Sequence, residues 1–274
     1  MVNIRQQPAI DTFGKMGSIY GPISFTRPVG LKSDLFCTFV VQQEDMKTII
    51  VTGASGNMGQ DVVKKFIEEG FHVVGTVIPD DPVKMEISHK EFETTTADLM
   101  NEEKAGEMVK LVAEKQGSID VAVLTVGGFA MGKIAETSIA DIHKQFKLNF
   151  ETTYNVARPV FLQMMKQRTG RIFLVGSRPG SNMRDSKGLV AYGLAKSLNF
   201  RLAELLNDEA KGTNVVTSVI VPSTIDTPQN RKSMPDADFS TWVKPDEIAA
   251  IIYFYSSGEA MVLRQPVIKI YGGA

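Results

Sequence analysis

From Lys47 onward, short β-branched runs alternate with longer stretches whose apolar positions recur three and four residues apart. Seven runs read as strands: Lys47–Thr52, Phe71–Ile78, Phe92–Thr96, Val121–Thr125, Arg171–Gly176, Val215–Val221 and Pro266–Tyr271. Val62, Val63, Phe66 and Ile67 mark a helix after the first strand, with Gly70 suited to its C-terminal cap. Ala105, Met108, Val109, Leu111 and Val112 mark the inner face of another. Long helical stretches are expected over about 141–167 and 189–210, and Pro245 opens a last helix. Strands alternating with helices imply a single α/β domain, a doubly wound parallel sheet with helices on both faces.

Residues 1–46 break the pattern. Pro8, Pro22 and Pro28, four glycines and the lack of either periodicity mark an N-terminal extension, partly disordered, outside a main domain of 47–274. Its low acidic content suits a transit peptide, but an amphipathic Arg-rich helix is missing, and Leu35–Val41 lies too far in for a usual signal peptide. Met46 directly precedes the first strand and would serve as an alternative start.

Composition narrows the function. A chain of 274 residues with 43% hydrophobic content can bury a full core, and a net charge of −1 offers no footprint for nucleic acid or an acidic membrane surface. The single cysteine, Cys37, cannot form an internal disulfide, and three scattered histidines give no metal-ligand spacing. The longest apolar run, Ile248–Tyr255, is far short of the ~20 residues that span a bilayer. A soluble protein of the reducing cytoplasm is expected.

Gly53-Ala-Ser-Gly-Asn-Met-Gly59 joins the first strand to the first helix. Glycines there let the backbone approach a pyrophosphate, whose charge is favoured by unpaired N–H groups at the helix N-terminus. Taken alone the turn is equally an ordinary βα connection, and no Gly-Lys-Ser/Thr follows to make it a nucleoside-triphosphatase loop. In a Rossmann-like fold the end of the second strand meets the adenosine ribose, where an acid favours NAD. Counting places Val77 there, with Asp80 and Asp81 beyond and no Arg or Lys over 76–79, so NAD(H) and NADP(H) both stay open. Asp98 either caps the following helix or accepts from an adenine amine. Val126-Gly127-Gly128 lets the chain pass close to something bulky.

Tyr192 and Lys196 are four apart and share one helix face. Such a pair is common and often means only a surface lysine over a half-buried tyrosine. Here it follows Ser177, which ends a strand, by fifteen residues, downstream of the glycine turn. Asn149 lies inside a long helical stretch, where Asn is a mediocre helix former.

Together, Thr52-Gly53-x-x-Gly56-x-x-Gly59, Asp98-Leu99, Asn149, Ser177, Tyr192-x-x-x-Lys196 and Pro222-x-x-x-x-Thr227 resemble the short-chain dehydrogenase/reductase superfamily over 47–274. Within it, the Asp226–Trp242 loop and Ala191–Lys196 are similar to the dihydropteridine reductases. The resemblance implies that NAD(H) or NADP(H) lies against Gly53, Ser55, Gly56, Asn57, Met58, Gly59, Val77, Asp98, Leu99, Val126, Gly127, Gly128, Pro222, Thr224 and Thr227. It implies Tyr192 as proton donor, its phenolate favoured by Lys196 and the nicotinamide charge. Lys196 would also hold the nicotinamide ribose, Ser177 would bind the substrate and Asn149 would anchor a relay water. It implies a quinonoid dihydropterin substrate, and a homodimer or homotetramer paired through the helices around Asn149 and Tyr192.

The Asp226–Trp242 loop reads as a substrate lid closed by Met234, Phe239 and Trp242, with Arg231 or Lys232 reaching inward; a flexible surface loop is the plainer alternative. Three departures stand out. Asn57 replaces the superfamily's middle glycine, which Asn can do because it tolerates a left-handed backbone. Thr125-Val-Gly-Gly128 replaces the usual Asn-Asn-Ala-Gly. Ser177 is present where animal dihydropteridine reductases often lack a serine, which admits a reductase of another ketone or quinonoid compound. A non-catalytic dinucleotide sensor is the rival from another class, and the intact Ser177, Tyr192 and Lys196 weigh against it.

Overall fold

The computed structural model describes residues 46–83, 85–181 and 186–273, so the N-terminal extension, Met46 apart, lies outside the described residues. Seven strands form one sheet: β1 (Thr48–Thr52), β2 (His72–Val77), β3 (Phe92–Thr96), β4 (Val121–Leu124), β5 (Thr169–Val175), β6 (Asn214–Pro222) and β7 (Val267–Ile270). Their order is β3-β2-β1-β4-β5-β6-β7, and every pairing is parallel.

Successive side chains of a strand point to opposite faces, and the central strands are apolar on both. Ile50, Ile172 and Leu174 pack against α2 (Glu102–Gln116), α4 (Thr152–Gln167) and α6 (Val190–Glu209). Their neighbours Ile49, Val51 and Phe173 pack against α1 (Asn57–Glu68) and α8 (Pro245–Ser256). Two-sided burial is what a parallel sheet with crossover helices requires.

The ends of the helices follow local chemistry. Gly70, at φ +80°, lies one residue past the α1 cap; its N–H bonds the Ile67 carbonyl, and the Phe71 N–H reaches back to Phe66. The Phe66 and Phe71 rings then meet edge to face at 4.9 Å, the apolar contact that accompanies this termination. Asn101, not Asp98, caps α2: its side chain accepts from the Lys104 N–H at 3.0 Å. Asp98 instead accepts from the Met100 N–H at 3.0 Å, tightening the turn out of β3, because its carboxylate lies one turn too early to reach the helix.

The expected helix over 141–167 begins slightly earlier, at a Ser138–Asp141 capping box, and is not uniform. It runs as α3 (Ile139–Phe146), a π turn over Lys147–Glu151 and then α4. The remaining α-helices are the four-residue α5 (Arg178–Ser181), which follows β5, and α7 (Pro228–Ser233) in the loop after β6.

The chain leaves β1 toward β2 and β3 on one side and returns to β4 on the other, so a crevice opens at the C-terminal ends of β1 and β4. Thr125 ties those ends together: its hydroxyl donates to the Thr52 carbonyl at 2.6 Å and its N–H to the Thr52 hydroxyl at 3.0 Å. Among the described residues no helix is long and apolar enough to cross a membrane, and no group of His, Cys, Asp and Glu could hold a metal ion.

Candidate active site

One wall of the crevice is the glycine turn. Gly53 adopts φ +62°, and a β-carbon on it would lie 2.9 Å from the Thr125 hydroxyl. Gly59 touches the same turn from the helix: a β-carbon there would fall 2.2 Å from the Gly53 carbonyl oxygen, which backbone cannot yield. Asn57 does not use its tolerance for left-handed geometry. It is the first residue of α1, and the left-handed step is taken by Gly53, four residues earlier.

Gly56 occupies the N-cap with no side-chain cap bond, and no acidic residue stands in the first turn. The first N–H groups of α1 are therefore open to an anion and aligned with the helix dipole. This uncapped, side-chain-free cradle fits the pyrophosphate of a nicotinamide dinucleotide. Met58 contributes differently, buried against the sheet.

At the adenosine end Val77 closes β2. Asp80, at φ 56°, turns the chain back so that the Asp81 carboxylate accepts from the Ser55 hydroxyl at 2.6 Å. The Ser55 bond, helped by the Val83 N–H, holds that carboxyl below its ordinary range. Val77, Ile78, Asp81 and Phe92 are among the residues lining a cavity of about 510 Å³ here. Asp98 is exposed at the end of β3, and Leu99 is buried, its carbonyl accepting from the Asn155 amide at 3.0 Å.

The second wall holds the polar cluster. The π turn presents Asn149, fully buried, to the loop after β4. Its oxygen accepts from the Gly128 N–H at 3.0 Å, and its amide donates to the Gly128 carbonyl at 3.0 Å and to Gln145 at 2.9 Å. Gly127 passes between Asn149 and Lys196: a β-carbon on it would lie 2.6 Å from the Asn149 oxygen and 3.0 Å from Lys196 Nζ. That is the close passage expected of Gly127 and Gly128. Val126 packs at the rim of the core.

Lys196 is 4% exposed and donates from Nζ to the Val175 carbonyl at 2.9 Å; burial lowers its pKa to about 8. Ser177, buried two residues past β5, accepts from the Gly180 N–H at 3.2 Å and bonds the Tyr192 phenol. Burial raises the Tyr192 pKa, and the Ser177 bond opposes it. In the protein alone, then, Tyr192 is protonated at neutral pH.

Phe129, 66% exposed, meets the Tyr192 ring edge-on with centroids 5.2 Å apart. Two backbone bonds hold it there: Gly132 donates to the Gly188 carbonyl at 2.8 Å, and Val190, at the start of α6, donates to Gly132 at 3.2 Å.

Pro222 ends β6 paired with Ile270; beyond it the Thr224 carbonyl accepts from the Val243 N–H at 3.0 Å, and the Thr227 hydroxyl caps α7 through the Asn230 N–H at 3.2 Å. The loop is braced within itself. Phe239 and Trp242 lie 4.8 Å apart, and Met234 is exposed. Arg231 does not reach inward: Asp226 holds it with contacts of 2.6 and 2.7 Å, and its guanidinium lies 4.7 Å from the Phe239 ring centre.

A family model described as short chain dehydrogenase matches residues 47–238. The chain belongs to the short-chain dehydrogenase family. Its curated relatives include an acetoacetyl-CoA reductase of Acinetobacter sp. (strain RA3849), 24% identical and covering 84% of this chain and 98% of that one. A dihydropteridine reductase of Dictyostelium discoideum is 26% identical, covering 77% and 88%. Among solved structures, ElxO with NADP bound superposes with a TM-score of 0.76 at 22% identity, covering 83% of this chain and 98% of that one.

This short-chain dehydrogenase is an oxidoreductase that uses NAD(H) or NADP(H). Sequence reasoning missed two neighbours at the site, Phe129 and Asn199, and placed a third, Asp81, only as lying beyond the end of the second strand. Phe129 was signalled only by an aromatic directly after Gly127-Gly128, and Asp81 only by a second acid past β2. Asn199 was signalled by a polar residue in the buried stripe of α6, where Ala195, Leu202, Ala203 and Leu206 are apolar.

Proposed function

We propose that the protein is an NAD(P)H-dependent reductase of a quinonoid dihydropterin, converting it to the tetrahydro form. The observation that carries this reading is the exposed Phe129 ring standing against Tyr192 at the crevice mouth. A flat heteroaromatic substrate can lie on such a ring while a polar edge faces the phenol. The similarity of the Asp226–Trp242 loop to that of dihydropteridine reductases, and the Dictyostelium relative of that name, support the same substrate.

Reduced nicotinamide, when held against the glycine turn and Gly127-Gly128, would supply a hydride. Tyr192 gives the accompanying proton to the substrate, which its protonated resting state suits. Ser177 bonds the same substrate edge and orients it. Lys196, with its pKa brought to about 8, is poised to pass a proton toward the phenolate that remains and to hold the nicotinamide ribose. Asn149 fixes the Gly127-Gly128 loop through its bonds to Gly128 and would anchor a relay water. Met234, Phe239 and Trp242 form the lid.

A ketone substrate is the second reading, favoured by Ser177 and by the acetoacetyl-CoA reductase relative. Exposed Tyr154 and Leu162 on α4, with Leu194 and Leu205 on α6, support pairing of copies through these helices in a cytoplasmic dimer or tetramer.

The test follows NADH and NADPH oxidation by absorbance with quinonoid dihydropterin generated in situ, and separately with acetoacetyl-CoA. Oxidation with the pterin that vanishes in Tyr192→Phe is expected. Turnover of acetoacetyl-CoA alone gives the second reading, and tight dinucleotide binding without turnover of either gives the sensor.

A further inference from the structure

Asn199 is fully buried on α6, one turn beyond Lys196. Its amide nitrogen donates to two carbonyl oxygens, Asn149 in the π turn at 3.2 Å and Val175 at the end of β5 at 3.3 Å. The Val175 oxygen is also the acceptor of the Lys196 ammonium. The Asn149 oxygen has one other side-chain donor, the Thr153 hydroxyl at 3.4 Å. The Asn199 amide oxygen, equally buried, has no hydrogen-bond partner among the described residues.

A leucine of similar size would fill this position without stranding a polar atom, and the apolar stripe of α6 invites one. Keeping the amide therefore has to be explained by its two donors. We propose that Asn199 is a positioning residue for the reductase, clamping the π turn to the end of β5 and sharing the Val175 carbonyl so that Lys196 holds it less tightly. This rests on the reductase reading above.

The argument is one of competition for lone pairs. A carbonyl oxygen that already accepts an amide N–H stabilises an ammonium less than a free one. Asn199 thus shares the Val175 oxygen that Lys196 uses and also occupies the Asn149 oxygen of the π turn. The ammonium then keeps donors available for the crevice. The ammonium donates to the Val175 carbonyl and lies with the Asn149 side chain beside Gly127, while Tyr192 and Asn199 stand one turn before and after Lys196 on α6; burial is the one resolved cause of its lowered pKa.

Asn199→Leu separates positioning from simple support. Thermal unfolding of the protein without dinucleotide should show an unchanged or higher Tm, since the stranded oxygen is gone. The alkaline limb of kcat/KM should move to higher pH by about half a unit or more as Val175 binds the ammonium alone. A reduced fraction of active protein cannot move that limb. Wild-type limb position with wild-type Tm overturns the proposal, as does a lowered Tm with an unmoved limb, which makes Asn199 structural. A wild-type protein inactive on every acceptor overturns the reductase reading and this proposal with it; an active wild type with an unmoved limb in Asn199→Leu overturns this proposal alone.

Discussion

Gly127 runs so close to Asn149 that a β-carbon on the glycine would sit 2.6 Å from the side-chain oxygen. Asn149 cannot retreat, because its amide is fixed by the Gly128 carbonyl and by Gln145. Lys196 Nζ bounds the same space at 3.0 Å. The packing of the loop after β4 and the placing of the ammonium are thus one constraint. Gly127→Ala is expected to lower kcat/KM by about a hundredfold, the scale of a displacement of roughly an ångström at a reacting centre. Steady-state kinetics alongside circular dichroism check it, and a fully active, folded variant would show that the loop can move without disturbing the lysine.

Phe129 touches Tyr192 yet leaves two thirds of itself exposed, so its contact area is available to a substrate. Phe129→Ala should raise KM for a flat pterin acceptor by roughly tenfold, the worth of one aromatic contact with its buried area. The dinucleotide KM should stay within about twofold, since the Phe129 ring stands against Tyr192 and not against the glycine turn. Equal losses for both substrates would mean that Phe129 supports Tyr192 rather than the substrate.

Asp81 lines the cavity past the end of β2 and is hydrogen-bonded to Ser55 in the glycine turn. Its negative charge should disfavour NADPH. Asp81→Asn is expected to raise the ratio of kcat/KM for NADPH over NADH by roughly tenfold, mainly through KM. An unchanged ratio would mean that the carboxylate serves only to hold Ser55.

How much of this was legible in the sequence depends on the range of the signal. β1, β5 and α1 were written in local apolar periodicity, and Tyr192 and Lys196 in a four-residue spacing, so each needed only its own segment. Asp81 was counted out of reach because a left-handed Asp80, which folds it back, leaves no mark in hydropathy. The π turn was hidden for a similar reason: it shifts the apolar phase by a single residue, which a stretch of helical periodicity read over many turns does not resolve. Phe129 depends on a backbone bridge between Gly132 and Leu189, a pairing across 57 residues that no local pattern encodes.

Lys196 links the site to the stability of the whole domain. Its ordinary pKa of 10.5 falls to about 8 on folding, with burial as the cause. Between those values the unfolded chain binds more protons than the folded one, so stability contributed by this residue rises with pH across the interval. Below about pH 8 the folded protein carries a desolvated ammonium, at a cost of at most about 3 kcal/mol. Lys196→Met keeps the packing volume and removes that charge. It should therefore abolish turnover while raising Tm at pH 7 by a few degrees, somewhat less than the full cost implies because the Val175 carbonyl loses a donor. The gain should shrink steadily from about pH 8 and vanish near pH 10.5, where the wild-type lysine is neutral in the folded state and losing its charge in the unfolded one. Paired Tm measurements on wild type and variant across this range isolate the one residue from all other titrations. A variant less stable at pH 7 than at pH 10 relative to wild type would reverse the sign and show that the lysine is charged at a profit, held by more than the Val175 carbonyl.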